Sequence, residues 1–324
     1  MKYIGFDIGG TKCAVCIGED ANNGIKIINK QMVKTDHSKG PYEMIDKMCR
    51  MAENMTDEFS YTGISCGGPL DSANGIILSP PNLMGWDNVK ITEFIQKRWR
   101  GKAFLQNDAN ACAVAEWKYG AGMNCDNMVF LTFGTGMGAG LILNGKLYCG
   151  KCDTAGEIGH IRISDNGPVG FGKAGSFEGF CSGGGIAQIA KICAMEKFQV
   201  GKKVSYCASA CELESISAKS VAEYAKKGFD DAKEVYKICG TNLGKGIAIL
   251  IDILNPERIV IGSVFERSGE LLKESMENVL KKECLKIAYD NCKIVPAKLG
   301  DSIGDYAAIA VAAMGADLEK EKND

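Results

Sequence analysis

Short apolar runs broken by glycine alternate along the chain with stretches in which apolar residues recur every three or four positions. Runs from Tyr3 to Phe6 and from Cys13 to Ile17 flank a glycine pair, and a third runs from about Gly24 to Val33, so three strands are predicted. An amphipathic helix is predicted over Pro41 to Glu53. A buried strand from Tyr61 to Ser65 runs into Cys66-Gly67-Gly68-Pro69-Leu70-Asp71, whose glycines and proline end it as a loop. A loop rich in proline and asparagine, Ser79 to Trp86, precedes a helix over about Ile91 to Arg100. The strand Ala103 to Gln106 then leads through Asn107-Asp108-Ala109-Asn110 into a helix reaching about Lys118.

The second half starts over. Apolar runs at Met128 to Phe133 and Leu141 to Leu143 flank another glycine turn, and Gly150 to Gly185 follows with little periodicity, a length of loop that is usually functional. Helices are expected from Ile186 to Leu254, stopped by Asn255-Pro256; a strand from Arg258 to Ile261 enters a turn at Gly262. A strand around Lys293 to Ala297 and a small-residue helix from Ile303 to Met314 close the pattern. Strands and helices thus alternate in two comparable halves, which predicts an α/β fold with a mixed sheet in each. A length of 324 residues also favours two domains. The expected division is a small domain, residues 1–118 completed by a C-terminal helix at 302–324, and a large domain, residues 119–301.

Composition narrows the function. A net charge of -2 without a long basic block argues against nucleic acid or an anionic membrane as partner. Asp7 and the glycines interrupt the first apolar run, so no signal peptide is expected, and no apolar run is long enough to span a bilayer. The fifteen cysteines are odd in number and irregularly spaced, which predicts reduced, mostly buried thiols in a cytoplasmic protein rather than a disulfide framework. Cys149 and Cys152 have redox-motif spacing but fall in a predicted loop, and are read as structural or incidental.

The glycine turns carry the candidate chemistry. Phe6-Asp7-Ile8-Gly9-Gly10-Thr11-Lys12 and Phe133-Gly134-Thr135-Gly136-Met137-Gly138 are two strand-turn-strand hairpins whose backbone N–H groups can close on phosphate oxygens. Asp7 repels phosphate itself but can hold the water shell of a Mg²⁺ ion that binds it, with Thr11 and Lys12 adding a hydroxyl and a positive charge. The plain alternative is an ordinary hairpin turn. Asp108, between a buried strand and a helix, is the candidate catalytic base; its plain alternative is a helix cap, which would also stabilise the anion, so no raised pKa is required. Asn107, Glu157, His160 and Glu178 make a hydrogen-bonding set suited to a polyhydroxylated ligand. His160 is equally compatible with a structural role or a metal. His37, the other histidine, is expected to be merely exposed.

With these motifs in this order, joined by Asn255-Pro256-Glu257-Arg258-Ile259-Val260-Ile261-Gly262, the chain resembles the ROK family (repressors, open reading frames and kinases) over nearly its whole length. The resemblance implies an actin-like, duplicated ATPase fold with the active site in the interdomain cleft. It implies that Asp108 deprotonates a sugar hydroxyl and that Gly68, Asn82, Asn107, Glu157, His160 and Glu178 surround the sugar. It places Asp7, Gly9, Gly10, Thr11, Lys12, Thr135, Gly136 and Gly138 on the ATP phosphates and Gly262 near the adenosine. It also implies a homodimer.

The implied activity is transfer of the γ-phosphate of ATP to a hexose hydroxyl, at the 6-position of glucose or a related hexose. The alternatives are a kinase of N-acetylmannosamine or another N-acetylhexosamine, and a non-catalytic sugar-sensing regulator of the same family. Repressors of the family carry an N-terminal DNA-reading domain, which is not expected in a chain that enters its phosphate hairpin by the seventh residue. One departure stands out. Family members place a cysteine run beside the histidine to bind structural zinc, and this chain has Val169, Phe171 and Ser176 at the cysteine positions. No structural zinc is expected, and apolar packing by Val169 and Phe171 is predicted to replace it.

Overall fold

The structure is a computed structural model that describes residues 1–22 and 24–322. Ten strands build its two main sheets: β1 (Lys2–Ile8), β2 (Lys12–Ala21), β3 (Gly24–Lys34), β4 (Tyr61–Cys66), β5 (Lys102–Asn107), β6 (Met128–Leu131), β7 (Ala139–Leu143), β8 (Lys146–Tyr148), β9 (Arg258–Ile261) and β10 (Lys293–Pro296). The helices are α1 (Pro41–Glu53), α2 (Ile91–Trp99), α3 (Asp108–Tyr119), α4 (Phe177–Phe180), α5 (Gly183–Gln199), α6 (Ala218–Lys226), α7 (Asp230–Leu254), α8 (Val264–Glu283), α9 (Lys286–Asn291) and α10 (Ile303–Glu321). The first sheet runs β3-β2-β1-β4-β5 and the second β8-β7-β6-β9-β10. In each, the third, second and first strands of the set are followed by its fourth and fifth, so one topology occurs twice. β1 to β3 are antiparallel, whereas β4 and β5 join β1 in parallel.

Two compact units divide the chain. One comprises residues 1–126, 140–155 and 298–324; the other comprises 127–139 and 156–297. In the first unit the period of two along β1 sorts the core. Ile4, Phe6 and Ile8 point into one apolar layer with α1 and α2 residues such as Met44, Met48 and Ile95. Tyr3 faces the other layer with Ala308, Ile309 and Ala312 of α10. Small residues let α10 lie close on the sheet: a Cβ on Gly63 would collide with the Ala308 carbonyl oxygen. This helix runs on to Glu321, past the small-residue stretch that ends at Met314. Gly315 admits the Phe104 ring against α10, and ion pairs Lys118–Asp317 (2.6 Å) and Lys102–Glu319 (3.0 Å) carry it further.

In the second unit β6, β9 and β10 form a parallel trio. α7 and α8 cross closely because Gly240 and Gly244 of α7 face the α8 backbone around Leu272 and Met276. Asn255 ends α7 in the left-handed conformation ahead of Pro256, as the sequence predicts. Gly150 to Gly185 is not wholly irregular: it holds a 3-10 turn at Ile158–His160, a ribbon pairing Val169–Gly170 with Lys173–Ala174, and α4. All fifteen cysteines are free thiols, nine of them buried. Among the described residues no helix is long and apolar enough to cross a membrane.

Candidate functional site

The first unit gathers one set of the predicted residues. The Gly9 carbonyl accepts from Thr35 Oγ1 at 2.6 Å, and the Gly10 carbonyl pairs with His37 Nε2 at 2.8 Å. In a trans peptide the N–H lies opposite the carbonyl, so the N–H groups of Gly10 and Thr11 point away from these partners. His37 is therefore exposed, as expected, and also braces the hairpin, a role its polar turn did not reveal. Asn82 lies against Gly10, where a Cβ would meet Asn82 Cβ at 2.9 Å, and a Cβ on Gly68 would stand 3.3 Å from Asn107 Nδ2. Asn107, rather than Asp108, caps α3: its side chain accepts from Ala109 N at 2.9 Å. Asp108 is the first helical residue and accepts from the same N–H at 2.8 Å.

Burial decides the electrostatics here. It raises the Asp108 pKa, with the backbone N–H of Ala109 pulling the other way, a rise that the sequence reading did not require. Asp7 is pushed up from its usual 3.8 to about 6, first by burial and then by the charges of Asp305 and Asp108, against Lys12 and Lys30. Asp305, on the first turn of α10, is buried and pairs with Lys30 at 2.7 Å. Gly304 brings the helix so close that a Cβ would lie 2.9 Å from Asp7 Oδ2. Sequence reasoning missed this pair because its members are separated by 275 positions.

Asp7 therefore weakens the fold at neutral pH. Between pH ~4 and ~6 the folded chain keeps a proton that unfolded Asp7 has released, so stability falls as pH rises through that window, by roughly 2–3 kcal/mol. Asp7→Asn is expected to raise the unfolding free energy at pH 7 by up to that amount and to flatten the slope between pH ~4 and ~6. Denaturant titrations at both ends of the window check this; an Asn variant no more stable at pH 7 contradicts it.

The second unit gathers the rest. Thr132 closes the hairpin base, its N–H donating to Gly138 O at 3.0 Å and its hydroxyl accepting from Gly138 N at 2.9 Å, and this leaves Thr135 exposed at the tip. Glu178 Oε2 accepts from Met137 N at 3.0 Å. Glu157 precedes the 3-10 turn that carries His160, and the His160 carbonyl accepts from Lys173 Nζ at 2.7 Å. Gly262 N donates to Leu131 O at 3.0 Å, setting the turn into α8. Beside the hairpin opens a cavity of about 830 Å³, lined by Gly134 and Thr135, by Gly183 and Gly184 at the start of α5, and by Ile216, Lys219, Tyr236, Ser263 and Arg267. Ser182-Gly183-Gly184-Gly185, a cap followed by bare backbone opening a helix, was the signal that could have marked this wall.

The ribbon differs from expectation. Phe171 is 78% and Val169 48% exposed, so they do not pack as a core in place of a metal. Hydrogen bonds hold the ribbon instead: Gln188 bonds both the N–H (2.9 Å) and the carbonyl (2.8 Å) of Val169, and Arg162 donates to Ala174 O at 2.8 Å. Ser176 turns its hydroxyl to the backbone, capping α4 through Gly179 N at 3.1 Å. The Phe171 ring stands edge-on to His160, centroids 6.1 Å apart. Among the described residues no group of three or more His, Cys, Asp or Glu side chains is placed to hold a metal ion.

Residues 3–314 match the model of the ROK family. The chain belongs to the ROK family. A glucokinase from Thermotoga maritima is 33% identical over 315 residues, covering 96% of this chain and 97% of that one. A xylose repressor from Caldicellulosiruptor bescii is 28% identical, covering 83% of this chain and 66% of its own length. Among solved structures, a ROK family glucokinase from Streptomyces griseus in complex with glucose and AMPPNP superposes with a TM-score of 0.75 at 26% identity, covering 97% of this chain and all of that one. The doubled sheet order is the two-domain actin-like ATPase fold of the ROK family.

Proposed function

We propose that this ROK protein is an ATP-dependent hexose kinase, transferring the γ-phosphoryl group to a hydroxyl at the 6-position of glucose or a related hexose. One observation carries the reading. Asp7, at the phosphate hairpin, and Asp108, at the head of α3, are near enough within one unit for the charge of Asp108 to raise the pKa of Asp7. A group suited to phosphate and its cation thus lies within electrostatic reach of a buried carboxylate. The similarity to glucokinases over nearly the full length agrees.

Asp7 offers hard carboxylate oxygen beside the hairpin, a chemistry that fits Mg²⁺ held through water rather than by a cluster of side chains. Such an ion would neutralise phosphate charge when bound. Asp108 accepts the proton of the sugar hydroxyl as that oxygen bonds to the γ-phosphorus and the bond to the β-phosphate oxygen breaks, releasing ADP. Because the transition state is loose, the proton can leave late, and the raised pKa makes Asp108 a better acceptor for it. Asn107 and Gly68 flank the base, while Glu157, His160 and Glu178 supply hydrogen bonds to the ring hydroxyls. The cavity beside Gly134 suits an adenosine in size.

A coupled assay for ADP tests the reading across glucose, mannose, fructose, allose, N-acetylglucosamine and N-acetylmannosamine. Sugar-dependent turnover with a hexose supports it; no turnover with any acceptor refutes it. His160→Ala is expected to raise the acceptor KM by about tenfold or more, on the scale of a lost hydrogen bond to a buried ligand, with the ATP KM little changed. An unchanged acceptor KM removes His160 from the pocket.

A further inference from the structure

In the second unit, the loop that carries the proposed acceptor ligands and the hairpin proposed for phosphate share the same peptide groups. Met137 N–H donates to Glu178 Oε2 at 3.0 Å, and Gly136 is bare where a Cβ would lie 2.7 Å from that same oxygen. Gly159, in the turn of His160, rests against the Met137 carbonyl so closely that a Cβ would collide with it. Ala139 N–H donates to Gly156 O at 2.8 Å, and Gly156 in turn backs onto the Ala139 carbonyl. Met137 itself is only 4% exposed. Gly134 and Gly138 already donate their N–H groups within the turn, so a carboxylate occupies one backbone donor of a turn whose Thr135 and Gly136 N–H groups would serve phosphate, and it brings a negative charge to the place where phosphate would sit.

We propose that Glu178 is a positioning residue that makes nucleotide affinity depend on acceptor occupancy, which rests on the hexose-kinase reading above. In the sugar-free protein its carboxylate holds the Met137 N–H and repels phosphate. A sugar hydroxyl that donates to Glu178 draws the carboxylate away and frees that N–H for a phosphate oxygen, which it can then bind with its neighbours. The bare backbone contacts at Gly136, Gly156 and Gly159 leave no slack, so a change at the acceptor loop is felt at the hairpin. Binding is reciprocal by linkage: nucleotide must tighten sugar by the same factor.

If Glu178 merely clamped the hairpin in shape, removing it would weaken nucleotide binding; the proposal requires the opposite sign. Calorimetric titration of the full chain with magnesium and AMPPNP, without sugar, is expected to show Glu178→Ala binding at least about five-fold tighter than wild type, the lower end of typical coupling. Glu178→Gln, which keeps an oxygen for the Met137 N–H but loses the charge, should fall between them. Saturating glucose should tighten the wild type by a similar factor and leave Glu178→Ala unchanged. Weaker or equal sugar-free binding in Glu178→Ala overturns the proposal. Equal tightening in both variants assigns the effect to charge alone and overturns the exchange of hydrogen bonds. In the unmodified protein, the ¹⁵N resonance of the Met137 amide should move on adding glucose without nucleotide; an unmoved resonance under saturating sugar overturns it too. Failure of every acceptor in the ADP assay would instead refute the kinase reading, while the sugar-free comparison still reports on Glu178 alone.

Discussion

Asp108→Ala is expected to lower kcat by about 10²–10⁴-fold, the usual contribution of a general base. The nucleotide should still bind, because Asp108 lies outside the glycine hairpins proposed for its phosphates. The pH profile separates a base from a cap. Burial raises the Asp108 pKa, so activity should fall as acid protonates it, on a limb lying above the ordinary carboxylate range. Asp108→Asn keeps an oxygen for the Ala109 N–H and should keep the fold, yet lose both the rate and that acid limb. Retention of wild-type kcat by either variant would place the base elsewhere.

The second large effect concerns stability. Glu116, near the end of α3, is fully buried. Its Oε1 accepts from Lys298 N at 2.9 Å and Leu299 N at 2.8 Å, and its Oε2 accepts from Ala121 N at 2.6 Å. One carboxylate thus ties the end of α3 and the chain after it to the segment that leads into α10. Glu116→Ala removes the carboxylate acceptor shared by three backbone N–H groups and leaves a void, at a cost on the order of 3–5 kcal/mol. The thermal midpoint should fall by at least about 6 °C, at roughly 2–4 °C per kcal/mol for chains of 150–250 residues. Glu116→Gln preserves one acceptor oxygen and should fall less. A midpoint within about 2 °C of wild type for Glu116→Ala would show that the three N–H groups find other partners.

Much of the fold was legible because it is local. Apolar runs predicted most strands of the two sheets to within a residue or two, although β2 continues to Ala21, four residues past the run that ends at Ile17, and Pro41 at a helix start and Asn255-Pro256 at a helix end marked boundaries through backbone sterics that need no tertiary partner. The glycine hairpins were legible for the same reason, since bare backbone between apolar runs is a statement about what must come close. The small-residue pattern of the C-terminal helix stops at Met314 because its last turns rest on Phe104, Lys102 and Lys118, residues distant in sequence. Val169 and Phe171 were misplaced because apolar character does not say whether a core is near enough to receive them. Gln188, whose two hydrogen bonds hold that ribbon, carries no pattern that would betray the role.

The sequence by itself determined the doubled α/β plan, the two glycine turns and the residue put forward as base, because strand period, helix capping and the need for a bare backbone are properties of neighbouring residues. Only the tertiary structure decided the burial that pushes the pKa of that base upward, the pairing of Asp305 with Lys30, the triple anchorage on Glu116 and the hold of Glu178 on Met137. Those depend on burial and on distances of a few ångströms between residues tens to hundreds of positions apart. Desolvation and hydrogen bonding act through space, and the order of residues along a chain does not record that space.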